Sequence, residues 1–83
     1  MYTIYSIYNK EADKIYTGQT RNIDQRISLH NNHTFKNSYT SRFPGEWVLI
    51  YQELVATRSE ALVREKQLKS GNGRLFIKSH IPE

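Results

Sequence analysis

The sequence predicts a fold of the α/β class in its α+β form. A small three-stranded antiparallel sheet is flanked by helices, in the order strand, strand, helix, strand, helix, with a short helical segment at the end. Three observations lead there. Tyr2 to Tyr8 alternates aromatic and β-branched residues on both faces, the pattern of a strand covered on both sides. Two later segments open with helix-start chemistry, Asn22 and Thr57-Arg58-Ser59-Glu60. Between them, Trp47 to Leu54 is apolar and β-branched, heavily so in its first half.

Taken in order, Asn9 to Asp13 is polar turn material, and Lys14 to Gly18 resumes strand character, so the first two strands form a hairpin. Asn22 then caps a helix running to about Asn31, with Asp24 placed to favour its first turn. Asn32 to Arg42 has no periodicity and carries Lys36, Tyr39 and Arg42 among Asn, Ser, Thr and His, which reads as a loop able to follow a phosphate backbone. Pro44-Gly45 closes it ahead of the third strand. The capping-box segment starts a helix to about Lys69. Gly71-Asn72-Gly73 is expected to stop that helix, and Arg74 to Ser79 to add a short one.

The 83 residues are expected to form one domain, residues 1–83, of modest stability, because a chain this short buries little more than about 60 % of its unfolded surface. With no cysteine, neither a disulfide framework nor a zinc knuckle can reinforce it, and a reducing, cytoplasmic setting fits. No basic n-region or apolar h-region opens the chain, and no stretch approaches the roughly 18 apolar residues of a membrane span, so a soluble, unprocessed protein is expected. A formal charge of +4 and a pI near 9.5 favour polyanionic partners.

The helices break their own pattern on the inward side. At about 100° per residue, Ala61, Leu62, Glu65 and Leu68 share a face, which puts Glu65 among residues expected to pack inward. A carboxylate there must neutralise, pair with a cation, or bind a metal ion. Ile23, Arg26, Ile27 and His30 repeat the anomaly, with an arginine and a histidine among two isoleucines. Tyr5, Tyr16, Arg26 with His30, and Glu65 therefore reach inward from four elements, and their convergence is the functional expectation.

At these residues the chain resembles the GIY-YIG nuclease family, most strongly its small stand-alone members. The first signature stands as Thr3-Ile4-Tyr5 and the second as Tyr16-Thr17-Gly18. The family's arginine and frequent histidine fall at Arg26 and His30, and its metal-binding glutamate at Glu65. The departures are Thr3 for glycine, Thr17 for isoleucine, and Gln19 where the repair excinuclease branch keeps a lysine. Asn72 is near the late asparagine of some branches but is assigned no role.

The resemblance implies an endonuclease that hydrolyses phosphodiester bonds in DNA through one divalent cation, usually magnesium, with manganese as a substitute. Glu65 would hold the metal, Arg26 would brace the phosphate, and Tyr16 would orient water or phosphate. Tyr5 is one candidate general base, although a phenol of pKa about 10 needs nearby positive charge to ionise near neutrality. His30 is the other.

The substrate expected is DNA, branched or single-stranded, cut by metal-activated water attack structure-selectively or with weak sequence specificity, with selectivity drawn from its structure, a homodimer or a protein partner. Two readings compete: a nucleic-acid-binding module without turnover, using Lys36, Arg42, Lys66, Lys69, Arg74 and Lys78, and a protein-interaction domain presenting Trp47, Phe35 and Phe43 as aromatic anchors. Arg26 and Glu65 have a duller explanation too, a salt bridge to one another.

Overall fold

The computed structural model describes residues 1–31 and 42–82. The elements follow the expected order: β1 Tyr2–Asn9, β2 Lys14–Thr20, α1 Ile23–Asn31, β3 Trp47–Val55, α2 Arg58–Lys69 and α3 Gly71–Lys78. The expected loop at Asn32 to Arg42, with Lys36 and Tyr39, lies outside the described residues apart from Arg42, which is exposed.

The sheet order is β2-β1-β3, antiparallel throughout. β1 is therefore central, which explains why Thr3 to Ile7 are all buried and why both of its faces are apolar. Alternate side chains divide between two cores. Ile4 packs with Ala61, Leu68 and Ile77 of α2 and α3, whereas Tyr5 and Ile7 pack with Trp47 and with Ile23 and Ile27 of α1. A register shift falls where Ser6 opposes Tyr51 and Ile7 opposes Leu49, so Ile50 is the extra residue of a bulge.

Local chemistry sets the helix ends. The Asn22 side chain accepts the Gln25 N–H at 3.0 Å, and the Thr57 side chain accepts the Glu60 N–H at 3.2 Å. Asn31 ties the far end of α1 to β3, donating to the Trp47 carbonyl at 3.0 Å and accepting the Trp47 N–H at 2.7 Å. Arg64 pairs with Glu53, which also accepts the Tyr51 hydroxyl, so α2 is locked to β3.

The structure corrects three expectations. Gly71-Asn72-Gly73 is the first turn of α3, not a stop between helices. Ser70 alone makes the corner: its backbone N–H donates to the Gln67 carbonyl, and its Oγ accepts from Gly73 N–H as the cap of α3. Leu62 is 48 % exposed, because it stands a full 100° step from Ala61, while Glu65 and Leu68 fall within about 40° of Ala61 on either side. Trp47 is 1 % exposed and cannot anchor a partner; Phe43 packs partly buried on the same core, and Phe35 lies outside the described residues.

Candidate active site

β1 and β2 bring the two signature tyrosines together by register. Tyr5 opposes Gly18 and Tyr16 opposes Ile7, so both phenols project from the same face, two positions apart along the hairpin. The missing side chain at Gly18 makes room for them. A Cβ there would stand 2.9 Å from the Tyr5 hydroxyl and 3.0 Å from the Tyr16 ring.

The helical repeat of α1 delivers His30 onto this pair. The Tyr5 hydroxyl and His30 Nε2 share a hydrogen bond of 2.9 Å. Ring centroids of Tyr5, Tyr16 and His30 lie 6.2, 6.0 and 5.1 Å apart, a triangle of tilted contacts. Tyr5 and His30 are almost wholly buried, whereas Tyr16 is partly open to solvent.

The electrostatics follow from that placement. Burial, then the Tyr16 phenol, hold Tyr5 well above the ordinary phenol range; the Arg26 charge pulls it back and Glu65 adds to the rise. Burial, then the Arg26 guanidinium, push His30 down to about 4. The imidazole is thus neutral at pH 7 and has a lone pair to offer.

Glu65 approaches from α2, which packs against β2 and β1. Its side chain is 21 % exposed, and Lys69 one turn later places Nζ 3.4 Å from Oε2. Arg26 is not the ion-pair partner of Glu65 among the described residues, so the duller explanation of a bridge between these two helices fails. Lys69 Nζ also stands 5.9 Å from the centroid of the Tyr16 ring. The sequence offers it only as a phosphate contact. Its i, i+4 spacing from Glu65 was visible, but nothing in the sequence showed that Tyr16 would complete the group.

The departures from the family signatures are accommodated. Thr17 and Ser6 share a hydrogen bond of 2.8 Å across the strands, which satisfies both buried hydroxyls. Thr3 is buried opposite Thr20.

No group of three or more His, Cys, Asp or Glu side chains able to hold a metal occurs among the described residues. A thiolate or polyimidazole site is therefore not what these residues would build. One partly exposed carboxylate does fit a hard cation such as magnesium, which normally keeps several waters and takes further oxygens from a phosphate substrate.

The fold is that of a small α+β domain, and its family match places it in the nuclease class. The GIY-YIG catalytic domain matches residues 1–77, and the chain belongs to the GIY-YIG family, a family of nucleases. It is similar to the UPF0213 protein of Staphylococcus haemolyticus, 36 % identical over 67 residues covering 81 % of this chain and 78 % of that one. The UPF0213 protein of Staphylococcus saprophyticus is 39 % identical over 67 residues, with the same coverage. Among solved structures, the solution NMR structure of the UPF0213 protein BH0048 from Bacillus halodurans superposes with a TM-score of 0.54 at 26 % identity, covering 95 % of this chain and 84 % of that one. No helix of the described residues is long and apolar enough to cross a membrane.

Proposed function

We propose that the chain is a divalent-metal-dependent endonuclease that hydrolyses phosphodiester bonds in DNA. The observation that carries this reading is the hydrogen bond between Tyr5 and His30, with Tyr16 packed on both rings and Glu65 on the neighbouring helix. Core tyrosines need only a satisfied hydroxyl. A neutral imidazole, a guanidinium and a carboxylate gathered around two phenols suit phosphoryl chemistry better.

Hydrolysis needs a water that loses a proton, charge neutralisation on the phosphoryl oxygens, and help for the departing oxygen. Glu65 would hold the magnesium ion, which when bound would neutralise phosphoryl charge and acidify water. Arg26 presents a planar fork to the phosphate.

Tyr5, held protonated by burial, cannot act as a base alone. With the proton of His30 on Nδ1, Nε2 accepts the Tyr5 hydroxyl proton as that oxygen takes one from the attacking water. Water loses one proton, His30 gains one, and Tyr5 ends as it began. Burial, and then the Arg26 charge, make the free imidazole a weak acceptor. A phosphodiester anion seated on Arg26 offsets that charge and raises the imidazole toward the range needed. Tyr16, the more open phenol, orients water or phosphate.

The test pairs activity with metal binding. Wild type and Glu65→Ala are compared on branched, nicked and single-stranded DNA with magnesium, manganese or chelator, beside melting curves in each. Metal-dependent cleavage and metal-induced stabilisation, both lost in Glu65→Ala, support the reading. Equal trace activity in both proteins, with unchanged melting, rejects it in favour of a nucleic-acid-binding module without turnover.

A further inference from the structure

The β2 edge, the last turn of α2 and α3 enclose an open groove of about 710 Å³. Lys14 enters it from β2, Lys69 from α2, and Arg74 and Lys78 from one face of α3, four residues apart. Asp13 is the one carboxylate on the rim, and its Oδ1 accepts the Tyr8 hydroxyl at 2.8 Å. Among the described residues, no carboxylate lies within ion-pair distance of Lys14, Arg74 or Lys78. Among the described residues, only Lys69 of these four cations has a carboxylate partner, Glu65.

The floor is apolar. Its accessible apolar surface comes from the partly exposed Ile15, Tyr16 and Ile81, over the buried Leu68 and Ile77. Cations above an apolar floor match a chain that is anionic along its backbone and carries flat, weakly polar groups, which is the chemistry of a nucleic-acid strand. The volume is in the range of a drug-sized ligand, enough for about two nucleotides rather than one phosphate. Tyr16 and Lys69 line the same groove, so it opens directly onto the cluster of Tyr5, His30 and Glu65.

We propose that this groove is a track for a nucleic-acid strand, binding the stretch next to the phosphate held at Arg26. The connection to a scissile phosphate rests on the nuclease reading; the strand-binding itself does not. Lys14, Arg74 and Lys78 contact the backbone, and Lys69 sits at the junction between track and cluster.

The experiment measures binding without turnover. A fluorescein-labelled DNA strand of about 12 nucleotides is titrated in chelator against wild type, Glu65→Ala and the triple variant K14Q/R74Q/K78Q over a range of salt. A charge-preserving control, K14R/R74K/K78R, is measured alongside, with melting curves for all. The proposal expects the triple variant to bind at least about tenfold more weakly and to lose about 2 from the slope of log affinity against log salt, at about 0.7 per phosphate contact. Glu65→Ala, which frees Lys69 and removes a carboxylate beside the track, binds at least as tightly as wild type, and the charge-preserving variant keeps wild-type affinity and slope.

Equal affinity and slope in the triple variant overturn the track. So does competition by polyglutamate of matched charge as effective as unlabelled strand, which would make the groove a site for acidic peptides. Should the triple variant not fold, loss of binding in K78Q and R74Q singly, with retention in K78R and R74K, decides the question. Because no cleavage is read, failure here leaves the nuclease reading standing. Failure of cleavage with strand-binding intact removes only that reading.

Discussion

The Tyr5 hydroxyl, on the central strand, lies 2.9 Å from His30 Nε2, in the last turn of α1. The contact spans 25 positions in sequence and joins a signature strand to the helix that carries Arg26. Both groups are buried, and the imidazole is kept neutral by its surroundings.

This has a pH consequence. Burial and Arg26 lower the His30 pKa from 6.5 to about 4, so the unfolded chain binds more protons than the native one between those values. Stability associated with His30 is complete above pH 6.5 and is lost as pH falls towards 4, by at most about 3 kcal/mol. Urea midpoints of wild type should fall between pH 7 and 4.5, and those of His30→Gln should fall less. Parallel profiles would show that His30 is not held neutral by the fold.

Two glycines should respond oppositely to alanine. A Cβ on Gly73 would collide with the Gln67 carbonyl oxygen and stand 2.5 Å from Leu68 Cα, backbone atoms that cannot step aside without moving α2. Gly71 has nothing within 4 Å of its Cβ position. Gly73→Ala should cost about 1–3 kcal/mol, whereas Gly71→Ala should be neutral or stabilising by up to about 1 kcal/mol. Denaturant unfolding of the two variants checks the contrast.

Gly18→Ala tests the site more than the fold. The atoms it would meet are the Tyr5 hydroxyl and the Tyr16 ring, the two groups whose placement the mechanism needs. Stability should drop by about 1–3 kcal/mol, and cleavage should fall further than the folded fraction does. Activity that tracks the folded fraction alone would mean that the phenols need no fixed separation.

If Glu65 holds a metal as proposed, Lys69 competes with it for the carboxylate. Its Nζ at 3.4 Å from Oε2 partly neutralises the carboxylate, and removing it frees that oxygen. Lys69→Met should therefore show a larger rise in melting temperature than wild type at the same magnesium or manganese concentration. An unchanged rise would mean that Lys69 does not oppose metal binding.

Much of this was legible in the sequence because the signals were local. Asn22 and Thr57 cap the helices they precede, and Ile23, Arg26, Ile27 and His30 stand on one face because the helix is regular. What was not legible depended on distant partners. Leu62 kept an apolar identity but found no surface to cover, and Trp47 found one. Gly71-Asn72-Gly73 reads as a helix stop, yet Gly73 is the residue small enough for α3 to start against the α2 backbone. The two bonds from Asn31 to Trp47 join an amide side chain to a strand backbone, a pairing without a sequence period. The groove of Lys14, Lys69, Arg74 and Lys78 assembles from three elements, and only the fold brings Lys14 beside α3.

The most direct test of the account is the rate at which purified wild type and Glu65→Gln nick supercoiled plasmid in magnesium, with melting curves confirming that both are folded. Glutamine keeps the shape of the side chain and removes the charge that would hold the cation. The account predicts metal-dependent nicking by wild type that falls by at least about 100-fold in Glu65→Gln. Equal rates in the two proteins, or nicking that persists in chelator, would contradict it.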